Sequence, residues 1–202
     1  NYKKALEYYD KSLRIKQETG DKKGMANSLS NIGIIYKLQG NYEQALEYYD
    51  KTLRINQEIG DKWGMASSYN NIGSVYYGKG NYEQALEYFD RSLKINQEIG
   101  DKKSIATCYN NIGIIYDDQG NHEQAMANYG KSLKIYQEIG DKKRMAHSYN
   151  NIGGIYKNQG NYKKALEYYD KSLRIKQETG DKKGMANSLS NIGIIYKLQG
   201  NY

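Results

Sequence analysis

Five asparagines recur at a spacing of 40 residues: Asn31, Asn71, Asn111, Asn151 and Asn191. A second polar column stands immediately before them, as Ser30, Asn70, Asn110, Asn150 and Ser190. A primary amide carries one acceptor oxygen and two donor hydrogens, the complement of a backbone amide. A ladder of such groups would hold the main chain of an extended peptide with little regard to its sequence. The competing reading is that these side chains bond one another from copy to copy and do nothing else. Other chemistry finds little support. The only histidines are His122 and His147, and no Cys/His spacing of a metal site occurs. His122 replaces a tyrosine at a packing slot, whereas His147 falls on the asparagine side as a polar lining residue. Acidic residues recur beside basic ones, so no carboxylate pair reads as catalytic. The repeated glycine of Asn-Ile-Gly falls inside a helical pattern and cannot cradle a phosphate. No enzyme, cofactor or metal is expected.

Those asparagines need elements to position them, and self-comparison supplies the period. Full units run 21–60, 61–100, 101–140 and 141–180, preceded by a half unit 1–20 and followed by a half unit 181–202, making one solenoid over 1–202. Each unit predicts two helices. In 21–60, Asp21 caps a helix A whose apolar set is Ala26, Leu29, Ile32, Gly33 and Tyr36, ending at Gly40. Asn41 and Gln44 have capping-box spacing for a helix B with the stripe Tyr42, Ala45, Leu46, Tyr49 and Leu53, ending at Gly60. On a helical wheel Asn27, Asn31, Ile34 and Leu38 lie opposite the apolar set of helix A, with Ser30 beside them. Lys3-Lys4 and Lys163-Lys164 replace Glu-Gln and are expected to remove the capping box. Gly130 is expected to make its B helix the weakest.

Composition bounds the rest. The 30 basic and 23 acidic residues of the 202-residue chain give a net charge of +7, mixed along the sequence without a block that reads as a nucleic-acid arm. The single cysteine, Cys108, fits a reducing compartment, and a cytoplasmic location is the expectation. It takes a slot held elsewhere by Ser28, Ser68, Ser148 and Ser188, so a small packing residue is expected. No apolar run is long enough for a membrane span. Trp63 is unique, standing at an inter-repeat loop where a partner's rim contact is one reading. Residues 1–42 and 161–202 are identical.

The unit resembles the tetratricopeptide repeat. That family's pattern sets an aromatic or large residue before Leu-Gly, then Tyr, Gly, Ala and an aromatic. Here it is Tyr69, Ile72-Gly73, Tyr76, Gly80, Ala85 and Phe89, and then Tyr109, Ile112-Gly113, Tyr116, Gly120, Ala125 and Tyr129. The phase holds over the whole chain. The family's common unit has 34 residues and a proline near the end of helix B; this one has 40 and no proline. It looks like the longer-repeat branch of kinesin light chains, Pins-type adaptors and bacterial arrays. A hydroxyl residue (Ser12, Thr52, Ser92, Ser132, Ser172) also stands where the family favours alanine.

The resemblance implies an all-α solenoid of antiparallel helix pairs in a right-handed superhelix, with the A helices lining a concave groove. It implies a non-catalytic scaffold for a protein or peptide ligand, without specific nucleic-acid or membrane binding. Family members contact peptides through an asparagine matching Asn31, Asn71, Asn111, Asn151 and Asn191. The match to Asn70, Asn110 and Asn150 is looser. Variable slots beside the ladder would select the ligand: Asn27, Ser67, Thr107, His147 and Asn187; Ile34, Ser74, Ile114, Gly154 and Ile194; and Lys37, Tyr77, Asp117, Lys157 and Lys197. A different class of function is structural. The lone B-type helix in 1–20 and the lone A-type helix in 181–200 would let copies stack head to tail.

Overall fold

The computed structural model describes residues 1–200; Asn201 and Tyr202, the last two positions of the final half unit, lie outside the described residues. It divides into two compact units, 1–101 and 102–202. The first holds α1 (Tyr2–Glu18), α2 (Lys22–Leu38), α3 (Tyr42–Glu58), α4 (Lys62–Gly78) and α5 (Tyr82–Ile99). The second holds α6 (Lys102–Asp118), α7 (His122–Glu138), α8 (Lys142–Asn158), α9 (Tyr162–Glu178) and α10 (Lys182–Leu198). The described residues contain no strand.

Short connections set this arrangement, because they force sequential helices to lie antiparallel. At the end of α2, Gly40 takes φ 75°, its N–H bonds the Lys37 carbonyl at 3.0 Å, and the Asn41 N–H bonds the Tyr36 carbonyl at 2.9 Å. This is a Schellman ending, which only glycine adopts without steric cost. Asn41 at once caps α3, its Oδ1 accepting from the Gln44 N–H at 3.4 Å. Asp21 caps α2 by accepting from the Gly24 N–H at 2.8 Å. The copies with Lys-Lys in place of Glu-Gln keep this half of the box: the Lys4 N–H donates to Asn1 Oδ1 at 3.3 Å and the Lys164 N–H to Asn161 Oδ1 at 3.2 Å. The expected loss of the cap is thus confined to the side-chain partner, since the backbone bond does not depend on the residue at that position.

In the first unit the core gathers Ala45 and Tyr49 of α3 with Ile72 and Val75 of α4. In the second, Ala125 and Tyr129 of α7 meet Ile152 and Ile155 of α8, and Ala165 and Tyr169 of α9 meet Ile195 of α10. The stripe read for helix A omits the Val75, Ile115, Ile155 and Ile195 position, which is fully buried. A stripe drawn for one helix pair is too narrow. Within a unit an A helix packs on its own B helix and also on the B helix before it, and Val75, Ile155 and Ile195 face the latter.

Two features bind each pair. A Cβ on Gly33, Gly113 or Gly153 would lie 2.7–2.8 Å from the ring of Tyr49, Tyr129 or Tyr169, so the missing side chain is what lets the helices approach. The hydroxyl that departs from the family's alanine crosses the same interface. Ser92 Oγ donates to the Ala66 carbonyl, Ser132 Oγ to Ala106 and Ser172 Oγ to Ala146, each at 2.8 Å. Cys108 is buried in the slot where Ser68 and Ser148 are buried.

Candidate functional site

In the second unit, α6, α8 and α10 place both polar columns on one face. Asn151 Nδ2 donates to Asn110 Oδ1 at 3.4 Å, and Asn191 Nδ2 donates to Asn150 Oδ1 at 2.9 Å. The second column therefore acts as acceptor for the first column of the following copy. Neighbour bonding, one of the two readings of the asparagines, is present. It occupies one amide hydrogen of Asn151 and of Asn191. Both residues are half-buried, and no other side-chain bond engages them among the described residues. In the first unit Asn31 and Asn71 hold the same half-buried position on α2 and α4. Asn70 and Asn111 each have an interaction partner.

The variable slots bridge neighbouring A helices. Lys37 on α2 donates through its Nζ to Ser74 Oγ on α4, and burial lowers the lysine pKa. Asn27 and Ser67 line one cavity of about 320 Å³ with Ser30, Asn56, Asp61 and Trp63. Trp63, 58% exposed, thus stands at the rim of a cavity on the asparagine side. In the second unit Thr107 and His147 line a cavity of about 180 Å³ with Asn110, Tyr136 and Arg144. Thr107 Oγ1 and the Tyr136 hydroxyl are 3.1 Å apart. Desolvation, then the nearby Lys176 and Lys143, hold the His147 imidazole below its usual pKa.

His122 sits half-buried at the turn between α6 and α7, with Nδ1 3.2 Å from Asp117 Oδ1. The two atoms face each other without a hydrogen bond, and the residue lies apart from both cavities.

One set of lining residues escaped the sequence reading. A single B-helix position, occupied by Lys16, Asn56, Asn96, Tyr136 and Lys176, reaches toward the A helices. Lys16 Nζ donates to Ser28 Oγ at 2.9 Å, Asn56 Nδ2 to Ser68 Oγ at 3.3 Å, and Lys176 Nζ to Ser188 Oγ at 2.8 Å. The signal available was variation: nearly every neighbour of this position repeats, yet it changes among lysine, asparagine and tyrosine. Arg144 was missed likewise, standing where other copies have Gly24, Gly64, Ser104 and Gly184. No group of three metal-ligating side chains occurs among the described residues, and none of their helices is long and apolar enough to cross a membrane.

The family model described as tetratricopeptide repeat matches residues 1–58, 64–138 and 144–202. No curated protein matches the chain. Among solved structures, BtubC (BKLC) from P. vanneervenii superposes with a TM-score of 0.87 at 21% identity, covering 100% of this chain and 85% of that one. A signal-transduction ATPase of the STAND type, with a tetratricopeptide repeat sensor, from Pyrococcus horikoshii gives 0.80 at 25% identity, covering 93% of this chain and 30% of that one. The apo form of RapI gives 0.78 at 19% identity, with coverages of 95% and 77%.

Proposed function

Since the chain belongs to the tetratricopeptide repeat family, we propose that it is a non-catalytic scaffold whose A helices hold an extended peptide segment of a protein partner. Asn31, Asn71, Asn111, Asn151 and Asn191 are the main-chain grips, and Asn70, Asn110 and Asn150 orient them. The supporting observation is the bond from Asn191 to Asn150 at 2.9 Å and its counterpart from Asn151 to Asn110. A primary amide fixed through one hydrogen is held in a single orientation and still presents its oxygen and second hydrogen, which lowers the entropy lost on binding. The flanking cavities then receive side chains. Capture of partners on the intact chain, followed by peptide mapping, supplies the ligand. Alanine at Asn71, Asn111 and Asn151 together should then weaken the mapped peptide by about 1 kcal/mol per lost hydrogen bond. Undiminished affinity would leave neighbour bonding as the only role of these residues.

A second reading, head-to-tail association of copies, has its own support. The helix α10 repeats the sequence of α2, yet Leu189 is 53% exposed where Leu29 is 6% exposed. A Cβ on Gly193 would meet no atom within 4 Å, whereas the matching Gly33 faces the Tyr49 ring. The helix α1 repeats the sequence of α9, so Tyr9 corresponds to the Tyr169 that packs on Gly153. A second copy's Tyr9 would therefore suit the open notch at Gly193. Light scattering across a concentration series should show growth that Gly193→Leu abolishes. A concentration-independent monomer would refute this reading and leave the peptide groove untouched.

A further inference from the structure

The net charge is unequally divided. Residues 1–101 carry 14 basic and 14 acidic side chains, and residues 102–202 carry 16 and 9, so the entire excess of +7 belongs to the second unit. Matching cavity positions repeat the contrast. Asn27, Asn56, Gly64 and Ser67 line the cavity of the first unit, where Thr107, Tyr136, Arg144 and His147 line that of the second.

The cations around His147, which are Lys176, Lys143 and Arg144, outnumber the one acid that acts on it, Asp181. Lys176 is 4% exposed, and its ammonium donates to the neutral Ser188 hydroxyl. Burial of an ammonium opposes folding, and the attraction of Asp181 offsets only part of it, since burial is the larger influence and lowers the lysine pKa. The acids nearest this face are the helix caps Asp141 and Asp181. Asp141 Oδ1 accepts from the Arg144 N–H at 3.1 Å and its Oδ2 from Arg144 Nη1 at 2.8 Å, while Asp181 Oδ1 accepts from the Gly184 N–H at 2.9 Å. The Arg144 guanidinium lies 5.9 Å from the Tyr136 ring centre, which holds it beside the cavity with donors to spare. His147 thus feels three cations against a single carboxylate.

We propose that the A-helix face of the second unit contains a subsite for an acidic side chain of the bound peptide, contacted by Arg144 and His147 and held in the field of Lys176. This rests on the groove reading above and assigns it a substrate class. Thr107 and Tyr136 complete the polar lining, their hydroxyls engaged with the Lys103 carbonyl and with each other. A carboxylate here offsets the positive excess that Asp141 and Asp181 leave, and it gains charge-assisted hydrogen bonds in a partly dry site.

The test uses the full chain and two short probe peptides, one alternating glycine with glutamate and one alternating glycine with glutamine, followed by fluorescence anisotropy. The glutamate peptide should bind about tenfold more tightly, an advantage that shrinks as salt rises. Arg144→Ser, which installs the residue found at position 104, and Lys176→Met should each remove most of that preference. Lys134→Gln, an exposed lysine outside the cavity lining, should leave it intact. The thermal midpoint of Lys176→Met should hold or rise, because a buried charge is exchanged for an apolar chain of similar length; a fall would assign Lys176 to structure and overturn its part. Should that variant not fold, Arg144→Ser decides alone. Equal binding of the two peptides would overturn the subsite while leaving the groove reading standing, and binding of neither would overturn both. Loss of preference in Lys134→Gln to the same extent would reduce the effect to diffuse charge and overturn the subsite. An oligothymidylate that outcompetes the glutamate peptide, and does so equally in Arg144→Ser, would assign the face to nucleic acid instead.

Discussion

Gly153→Ala and Gly193→Ala form a matched pair that isolates packing from helix propensity. Both glycines follow Asn-Ile at the same point of an A helix. Replacing an interior helical glycine by alanine gains roughly 0.8–1 kcal/mol of propensity at either site. The surroundings differ. At Gly153 a Cβ would stand 2.8 Å from Cδ1 and Cε1 of the Tyr169 ring, and that ring is 2% exposed, enclosed and unable to swing away. At Gly193 nothing lies within 4 Å. Overpacking of this kind costs about 1–3 kcal/mol. Propensity cancels in the comparison, so Gly193→Ala should exceed Gly153→Ala in stability by that amount. For a chain of this size the difference amounts to several degrees in thermal midpoint, at about 2–4 °C per kcal/mol. Differential scanning calorimetry reads the midpoints at a concentration where both variants are monomeric, and hydrogen exchange should place the Gly153 defect in α8 and α9. Equal midpoints would refute the idea that close helix approach is what the glycine of Asn-Ile-Gly provides.

Removing the cross-helix hydroxyl in Ser132→Ala or Ser172→Ala should cost about 0.5–1.5 kcal/mol each in denaturant melts, since the Ala106 or Ala146 carbonyl keeps its helical bond and loses only the second one. Gly130→Ala, at an exposed site with nothing within 4 Å of a Cβ, should raise the melting temperature through roughly 1 kcal/mol of helix propensity. Burial pushes the Tyr49 phenol up to about 12 and raises Tyr169 and Tyr136 as well. The folded state then favours the neutral phenol, so stability is unaffected below the ordinary value near 10 and falls as pH rises through 10 toward 12, which ultraviolet titration of the tyrosines alongside circular dichroism should follow. His147 has the opposite sense. Its folded pKa is lowered, so its contribution is complete above the ordinary histidine value of 6.5 and is lost as pH falls below it, and wild type minus His147→Gln in paired melts should show that loss.

Much of this molecule is legible in its sequence because periodicity carries the information. Glycine at every turn, the Asn and Asp caps, and the Ala-Leu-Ile-Gly-Tyr face of helix A follow from local chemistry, and they reappear at the expected residues. The misses are contacts between copies. Val75, Ile155 and Ile195 are buried by the preceding B helix, which a wheel drawn for one helix cannot display. Lys176 lies on a B helix, yet it reaches Ser188 on the next A helix, so its relation to the asparagine side depends on how pairs stack. The even mixture of charge along the sequence is a local truth that hides the imbalance between halves. The asparagine columns fall between these cases: their face was legible, and their mutual bonding was visible only as an alternative.

Every connection between the described helices is built from the same few atoms. The ten glycines with positive φ fall between 68° and 75°, and none meets an atom within 4 Å of a Cβ. A turn held by its own backbone and the Asn or Asp cap beside it places little demand on what lies beyond it. Helix pairs ending in such turns are interchangeable parts, and a gain or loss of one copy leaves each remaining joint as it was. A ligand held as proposed would be met in whole steps of one pair, as by a ruler with fixed graduations. Arg144 and His147 alter one copy, and the turns at Gly140 and Gly160 on either side keep the geometry of the rest.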